Sequence, residues 1–286
     1  MVAVMAAAPL DDVLGEWAGL GYYARARNLH KCAVIVAREH KGKFPCTEEA
    51  LIKLPGVGAY TAAAIAAIAF DRPAVVVDGN IERVAARLFA IETPLPGAKP
   101  EIKIHAAAIW PQRRGGDFAQ GLMDLGASVC KPKAPLCEAC PISSACDAFA
   151  MGKTDVFPRR SAKRLKPTRT GAVFALMNGR GEMLFARRPE KGLLGGMLGL
   201  PGTPWTEGAV DDARSAAPAK AKWKCAGEVT HSFTHFYLTL DVYVGNAPKG
   251  FRRNGNQQWI APKAVRLPTV MKKAVELAEI TKGFEI

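Results

Sequence analysis

Four cysteines stand close together near the middle of the chain: Cys130, Cys137, Cys140 and Cys146, spaced C-x6-C-x2-C-x5-C. Thiolates are soft ligands, and four in one short loop suit either a 4Fe–4S cluster or a structural zinc; spacing alone leaves both open. Cysteines in a secreted chain pair as disulfides, whereas a set at ligand spacing points to metal in a reducing compartment. Cys32, Cys46 and Cys225 have no partner at such spacing and read as small buried apolar residues. A second feature is Pro55-Gly56-Val57-Gly58, between two helical stretches. Glycines turn tightly and bring bare backbone close to a partner. The amides of Gly56, Val57 and Gly58, converging at a helix N-terminus, suit a phosphate. A plain helix corner with a proline stop gives the same pattern. The third feature is Asp78-Gly79-Asn80. Asp78 is either a helix N-cap or a carboxylate held in a cleft opposite the glycine hairpin.

These groups need elements to hold them. Thr47 followed by Glu48 and Glu49 marks a helix start, and that short helix must stop before Pro55. Tyr60 to Phe70 resumes as an Ala-rich helix, Ala74 to Val77 is an extended apolar run, and an amphipathic helix begins at Ile81. Upstream, Leu10, Val13, Leu14 and Trp17 fall on one helical face. Residues 93–129 read as helical after a bend at Pro94, Pro96 and Pro100. Lys153, Arg159, Arg160, Lys163, Arg164, Lys166 and Arg169, with Pro158 and Pro167, form a basic connector, either a solvated tether or a segment lying along phosphates. Beyond it the periodicity changes to that of strands. Gly171 to Leu176 and Glu182 to Arg187 flank Asn178-Gly179-Arg180-Gly181, a hairpin signal.

At 286 residues the chain has room for two domains, and its net charge of +13 favours a polyanionic partner. Apolar stretches are interrupted by charges or prolines before reaching spanning length, and no basic region precedes the apolar start. We expect an intracellular, cytoplasmic monomer without a membrane partner.

The string Leu54-Pro55-Gly56-Val57-Gly58, followed by Val77-Asp78-Gly79-Asn80, resembles the helix-hairpin-helix DNA glycosylases. Within them it looks like the adenine DNA glycosylase (MutY) branch rather than endonuclease III. Tyr60 stands where endonuclease III-like members carry a lysine nucleophile, so the resemblance implies a monofunctional glycosylase without a Schiff base. Gly19-Leu20-Gly21-Tyr22-Tyr23-Ala24-Arg25-Ala26-Arg27-Asn28 matches the family nearly verbatim. By that resemblance Tyr22 wedges into the duplex beside 8-oxoguanine, and Arg25 and Arg27 are candidates for phosphate contacts, each of which alone also reads as part of a solvated basic face. The cysteine spacing is that of the family's cluster, which implies a structural 4Fe–4S cluster fixing a loop with Lys131 and Lys133 toward DNA. Asp117 to Gly126 resembles the helix leading into it and is assigned to packing.

The implied reaction is hydrolysis of the N-glycosidic bond of a flipped adenine opposite 8-oxoguanine or guanine. Asp78 matches the carboxylate that stabilises the oxocarbenium sugar, and Tyr60 and Asn80 match residues lining that pocket. The family's segment E-V-M-L-Q-Q-T-Q, whose glutamate protonates the purine, does not occur in this sequence. The expectation is therefore a late start or an N-terminally truncated, impaired protein with exposed apolar surface and poor solubility. Two other readings are a lesion-binding protein without catalysis and an endonuclease III-like lyase, the latter opposed by Tyr60.

Gly192 to Pro201 resembles the approach to a Nudix fold, but Trp205 to Ala221 holds only scattered acids in place of the metal-binding box, so nucleotide hydrolysis is not expected. Val229 to Leu240 resembles the recognition strand of the family's C-terminal domain, with Phe233-Thr234-His235 as the loop that reads 8-oxoguanine and Thr234 in the usual serine position. The expected architecture is an all-α helix-hairpin-helix glycosylase domain with an iron–sulfur loop over 1–150, a basic linker over 151–169, and an α+β Nudix-like domain over 170–286. The expected partner is double-stranded DNA carrying 8-oxoguanine:A or G:A mispairs.

Overall fold

The computed structural model describes residues 1–162, 165–190, 192–208 and 212–282. Lys163 and Arg164 of the expected linker, and Asp211 among the acids after Trp205, lie outside the described residues. In chain order the helices are α1 (Val2–Ala7), α2 (Leu10–Glu16), α3 (Tyr23–Glu39), α4 (Glu48–Leu51), α5 (Ala59–Phe70), α6 (Gly79–Leu88), α7 (Lys99–Ala108), α8 (Gly115–Ser128) and α9 (Asp147–Ala150). Then follow β1 (Thr168–Met177), β2 (Met183–Arg187), β3 (Leu198–Gly199), β4 (Thr206–Glu207), β5 (Lys224–Ser232), β6 (Tyr237–Asn246), β7 (Gln257–Ile260) and α10 (Thr269–Lys282). Contacts divide the chain into a helical unit, Met1–Ala6 with Lys31–Lys163, and a sheet unit, Ala7–His30 with Arg164–Ile286. The difference from the expected division is Ala7–His30, whose Leu14, Tyr23 and Ala26 belong to the same buried cluster as the strands and α10. Among the described residues no helix is long and apolar enough to cross a membrane.

In the helical unit, Thr47 Oγ1 accepts from the Ala50 N–H (3.4 Å) and starts α4. Leu51, Leu54, Ala62, Ala63, Ala66 and Ala67 form one buried cluster with Val36 and Val76. Small residues along α5 let a neighbouring helix come close. That neighbour is α8: a Cβ on Gly116 would lie 2.6 Å from the Ala67 carbonyl oxygen, and one on Gly126 would lie 2.7 Å from Asn80 Cβ at the start of α6. Thus α8 packs on both α5 and α6, and two of its glycines are the contact points. The residues between the Pro-rich bend and the cysteines form α7 and α8, not one continuous helix, with Trp110 and Arg114 between them.

In the sheet unit, β1 and β6 run parallel from Thr168↔Tyr237 to Met177↔Asn246, and the principal strand order is β3-β2-β1-β6-β5. The Asn178–Gly181 turn forms as expected: Asn178 Oδ1 accepts from the Arg180 and Glu182 amides (2.9 and 3.1 Å). Met271, Ala274, Val275 and Ala278 of α10 pack on Val242, Val244 and Leu240 of the sheet. Among the cysteines outside the loop, Cys32 is buried, but Cys46 is partly exposed with Arg72 Nη2 3.4 Å from its Sγ, and Cys225 is exposed. Cys225 lies beside the bulge of β5, the outermost strand of the principal order.

The α8 contacts separate its glycines by role. Gly116→Ala and Gly126→Ala are expected to destabilise the chain by about 1–3 kcal/mol through overpacking. Gly121, with nothing within 4 Å of a Cβ, should gain about 0.5–1 kcal/mol as Ala. Denaturant unfolding of the three variants checks both signs.

Candidate functional site

The glycine hairpin sits between α4 and α5. Leu54 N–H donates to the Leu51 carbonyl (3.0 Å) and Val57 N–H to the Leu54 carbonyl (3.1 Å), which closes the turn; Gly56 takes φ +79°, where a side chain would be strained. The Val57 amide is thereby occupied, a correction to the expected convergence of all three amides. Gly58 is the N-cap of α5, with φ −89° and open space where a Cβ would stand. The Gly56 and Gly58 amides have no backbone acceptor among the described residues, so with the first turn of α5 they leave unpaired donors at the helix N-terminus. Tyr60, two residues further, is 47% exposed.

Asp78 caps α6. Its Oδ1 accepts from the Asn80 and Ile81 amides at 2.9 and 2.7 Å, while Oδ2 has no partner among the described residues. The N-cap reading is therefore correct as structure, and it also fixes the free oxygen. Asn80 Oδ1 accepts from Arg83 Nη2 (2.9 Å), and the same guanidinium donates to the Gly126 carbonyl (2.5 Å) and, through Nε, to the Cys130 carbonyl (2.7 Å). Burial lowers the Arg83 guanidinium from its ordinary value; the neighbouring Cys130 raises it and Arg87 lowers it further. One turn on, Arg87 is 2% exposed. Its Nε donates to the Phe157 carbonyl (3.0 Å), Nη1 to the Lys131 carbonyl (2.8 Å) and to Cys130 Sγ (3.2 Å), and Nη2 to the Pro132 carbonyl (3.3 Å).

Cys130, Cys137, Cys140 and Cys146 line one cavity together with Arg87, Leu136 and Phe149. Burial pushes the Cys146 thiol up; backbone donors at Phe149 and Ala148 pull it back, and Cys130 and Cys137 add to the rise. Among the described residues no group of three or more His, Cys, Asp or Glu is arranged to hold a metal ion.

The recognition residues gather in the sheet unit. Tyr22, Phe233, Thr234 and His235 line one cavity of about 410 Å³. Trp17 Nε1 donates to the Gly21 carbonyl (2.9 Å) and the Gly19 amide to the Tyr23 hydroxyl (3.2 Å), which fixes the turn. Tyr22 takes φ +48° and stands 66% exposed, with Arg25 over its ring at 5.3 Å. Arg27 is engaged elsewhere, its Nη1 donating to the Gly195 carbonyl (2.6 Å). Phe233 stacks on Phe236 at 4.8 Å, and the loop closes through the Phe233 amide on the Phe236 carbonyl (2.9 Å). Burial, then the charge of Lys273, pushes His231 below its ordinary value.

Asp78, Asn80, Tyr60 and the hairpin belong to the helical unit, and Tyr22, Arg25, Arg27 and the Phe233 loop to the sheet unit. Sequence reasoning missed Arg83 and Arg87, and within the Asp117–Gly126 segment assigned to packing it did not single out Gly126. Arginines four apart on a helix share one face, but an arginine on an amphipathic helix reads as solvated until its carbonyl partners are known.

Against family models, residues 2–112 match the HhH-GPD superfamily base excision DNA repair protein, and residues 172–277 match the NUDIX domain. The adenine DNA glycosylase of Homo sapiens is 33% identical over 301 residues, covering 84% of this chain and 54% of that protein. That of Buchnera aphidicola subsp. Acyrthosiphon pisum is 30% identical over 275 residues, covering 93% of this chain and 78% of that protein. The chain spans 54% to 65% of the length of the mammalian relatives it matches. Among solved structures, a thermostable thymine-DNA glycosylase aligns over 52% of this chain and 70% of its own, at 31% identity and a TM-score of 0.48.

Two variants separate binding from architecture. Gly58→Ala should leave the melting temperature within a degree or two and weaken binding to duplex at least tenfold, because only an approaching phosphate meets the new methyl. Arg87→Met should destabilise the helical unit by roughly 3 kcal/mol, since it orphans the buried Phe157 carbonyl and releases the Lys131 and Pro132 carbonyls of the cysteine loop. Thermal unfolding and duplex titration of both variants read these outcomes.

Proposed function

The chain belongs to the adenine DNA glycosylase family, and we propose from that premise that it hydrolyses the N-glycosidic bond of adenine paired with 8-oxoguanine or guanine in duplex DNA. The observation that carries the chemistry is Asp78, whose Oδ1 is held by two α6 amides while Oδ2 is left unpartnered among the described residues. As the bond from the sugar to the purine nitrogen breaks, its electron pair leaves with the base and positive charge develops on the sugar ring. A carboxylate oxygen fixed in advance stabilises that charge without reorganising. Water then adds to the sugar carbon and loses its proton. Asn80, tied by Arg83 to the Gly126 and Cys130 carbonyls, keeps the turn bearing Asp78 in place. Tyr60 offers no amine, which supports hydrolysis over a lyase reaction.

Recognition of 8-oxoguanine rests on Tyr22, Phe233, Thr234 and His235 around one cavity, where aromatic rings stack on a base and the Thr234 hydroxyl reads its edge. The Gly56 and Gly58 amides, with Arg25, take phosphates and carry no sequence information. The four loop cysteines line one shared cavity and offer the four thiolates that a 4Fe–4S cluster takes as ligands. Held there, the cluster supplies structure, and Cys130, Cys137, Cys140 and Cys146 would be its ligands, with Lys131 and Lys133 on the loop toward DNA. The proposal includes a cytoplasmic location, supported by cysteines at ligand spacing, and a monomer. A second reading is binding of the lesion without release, for which the cavity lined by Tyr22, Phe233, Thr234 and His235 suffices by itself.

Single-turnover adenine release from an 8-oxoguanine:A duplex tests both. Asp78→Asn is expected to slow release by roughly 10²–10³-fold at a nearly unchanged melting temperature, because the Asn oxygen still caps α6. Selective binding with no release by the wild type supports the second reading, and neither release nor selective binding refutes both.

A further inference from the structure

The aromatic row of the recognition loop continues away from its cavity. Phe233 stacks on Phe236 at 4.8 Å, and Trp205 extends the row beyond Phe233 at 6.0 Å. Both ends carry a cation, Arg169 over Phe236 at 4.5 Å and Arg188 over Trp205 at 4.6 Å. Lys166 lies 5.4 Å over Tyr237 and donates to the Phe233 carbonyl (3.0 Å). No carboxylate among the described residues pairs with any of the three cations.

Arg188 stands apart from the other two. Its Nε is buried without an acceptor, and so is the indole Nε1 of Trp205 against which it stacks. Two donors, one of them charged, are thus buried side by side with nothing among the described residues to receive them. Buried polar atoms are almost always satisfied in folded proteins, and a charged N–H without an acceptor is a costly exception; the rest of both side chains is only partly buried. Burial pushes the Arg188 guanidinium below its ordinary value, and no neighbouring acid pulls it back. Gly171 beneath Trp205 is part of the arrangement: a Cβ there would lie 2.6 Å from the indole Cδ1, so the glycine lets the ring lie flat on β1. A planar guanidinium beside an N–H, in a basic surrounding, matches the tetrahedral oxygens of a phosphate.

We propose that Arg188 and Trp205 form a phosphate-binding site in the sheet unit, outside the cavity that Tyr22 and the Phe233 loop line. The guanidinium and the indole N–H are the donors. The phosphate belongs either to a DNA strand or to a free nucleotide, and this site does not depend on the glycosylase reading.

The test uses the full chain, probed with inorganic phosphate, deoxyadenosine monophosphate and a short undamaged duplex. Phosphate is expected to raise the wild-type melting temperature in a concentration-dependent way. Arg188→Met should abolish that response, and Trp205→Phe, which keeps a ring in place, should weaken it severalfold. Without ligand, Arg188→Met should melt slightly higher than the wild type, because a buried N–H without an acceptor has been removed. A nucleotide response lost in Arg188→Met at an unchanged duplex salt slope assigns a free nucleotide. A salt slope lower by about one in Arg188→Met, with no nucleotide response, assigns a strand phosphate. Equal responses in wild type and both variants overturn the proposal, as does a wild type that answers none of the three probes.

Discussion

A guanidinium with 2% exposure fixes the helical unit. Arg87 gathers the carbonyls of Lys131, Pro132 and Phe157 and the thiol of Cys130, groups that lie 43 to 70 residues further along the chain. Such a charge contributes little net stability when every partner is present, because desolvation offsets most of the attraction. Its effect is to make every alternative arrangement worse, since any displacement of α6 leaves a charge or several carbonyls unpaired. One turn earlier, Arg83 applies the same constraint to the Gly126 and Cys130 carbonyls and passes it to Asn80. The turn that holds Asp78 and the loop that holds the cysteines are therefore two ends of one bonded unit.

Helix α8 completes that unit from the other side. Its close approaches at Gly116 and Gly126 bring α5 and α6 onto one support, so the hairpin glycines and the Asp78 turn are oriented by a helix that carries no candidate catalytic group. Bare backbone does the positioning where side chains would keep the helices apart. The sheet unit works differently. There, the parallel β1–β6 pair is central, and the recognition loop is the connection between β5 and β6, the next antiparallel pair. Its rings are held by stacking and by one short hydrogen bond. Tyr22 reaches the same cavity from a glycine turn locked by Trp17 and Tyr23.

Much of this was legible in the sequence because it rests on local rules. Thr47, Pro55 and the Asn178–Gly181 turn act over four residues or fewer, and the structure follows them. The cysteine spacing likewise places its residues around one cavity. What the sequence concealed is non-local. Arg87 resembles any solvated arginine until Phe157 and the cysteine loop fold over it, and Gly126 resembles a weak helix residue until Asn80 packs against it. The Val57 amide was misjudged because its acceptor, Leu54, depends on how tightly the turn closes. Ala7–His30 were expected with the helical domain, but Leu14, Tyr23 and Ala26 find their apolar neighbours among the strands.

Division of labour between the two units follows from the kinds of groups each presents. The helical unit offers main-chain amides at Gly56 and Gly58 and a carboxylate set by main-chain amides at Asp78. Amides recognise phosphate and charge, which every nucleotide shares, so they cannot by themselves choose a base. The sheet unit presents rings, a hydroxyl and an imidazole around a cavity, groups that respond to base shape and edge pattern. In the proposed function, discrimination of 8-oxoguanine from guanine therefore depends on side chains of the sheet unit, whereas the rate of bond cleavage depends on a turn bonded to the cysteine loop. Substitutions in the first set change which duplex is selected. Those in the second change how fast a selected duplex reacts.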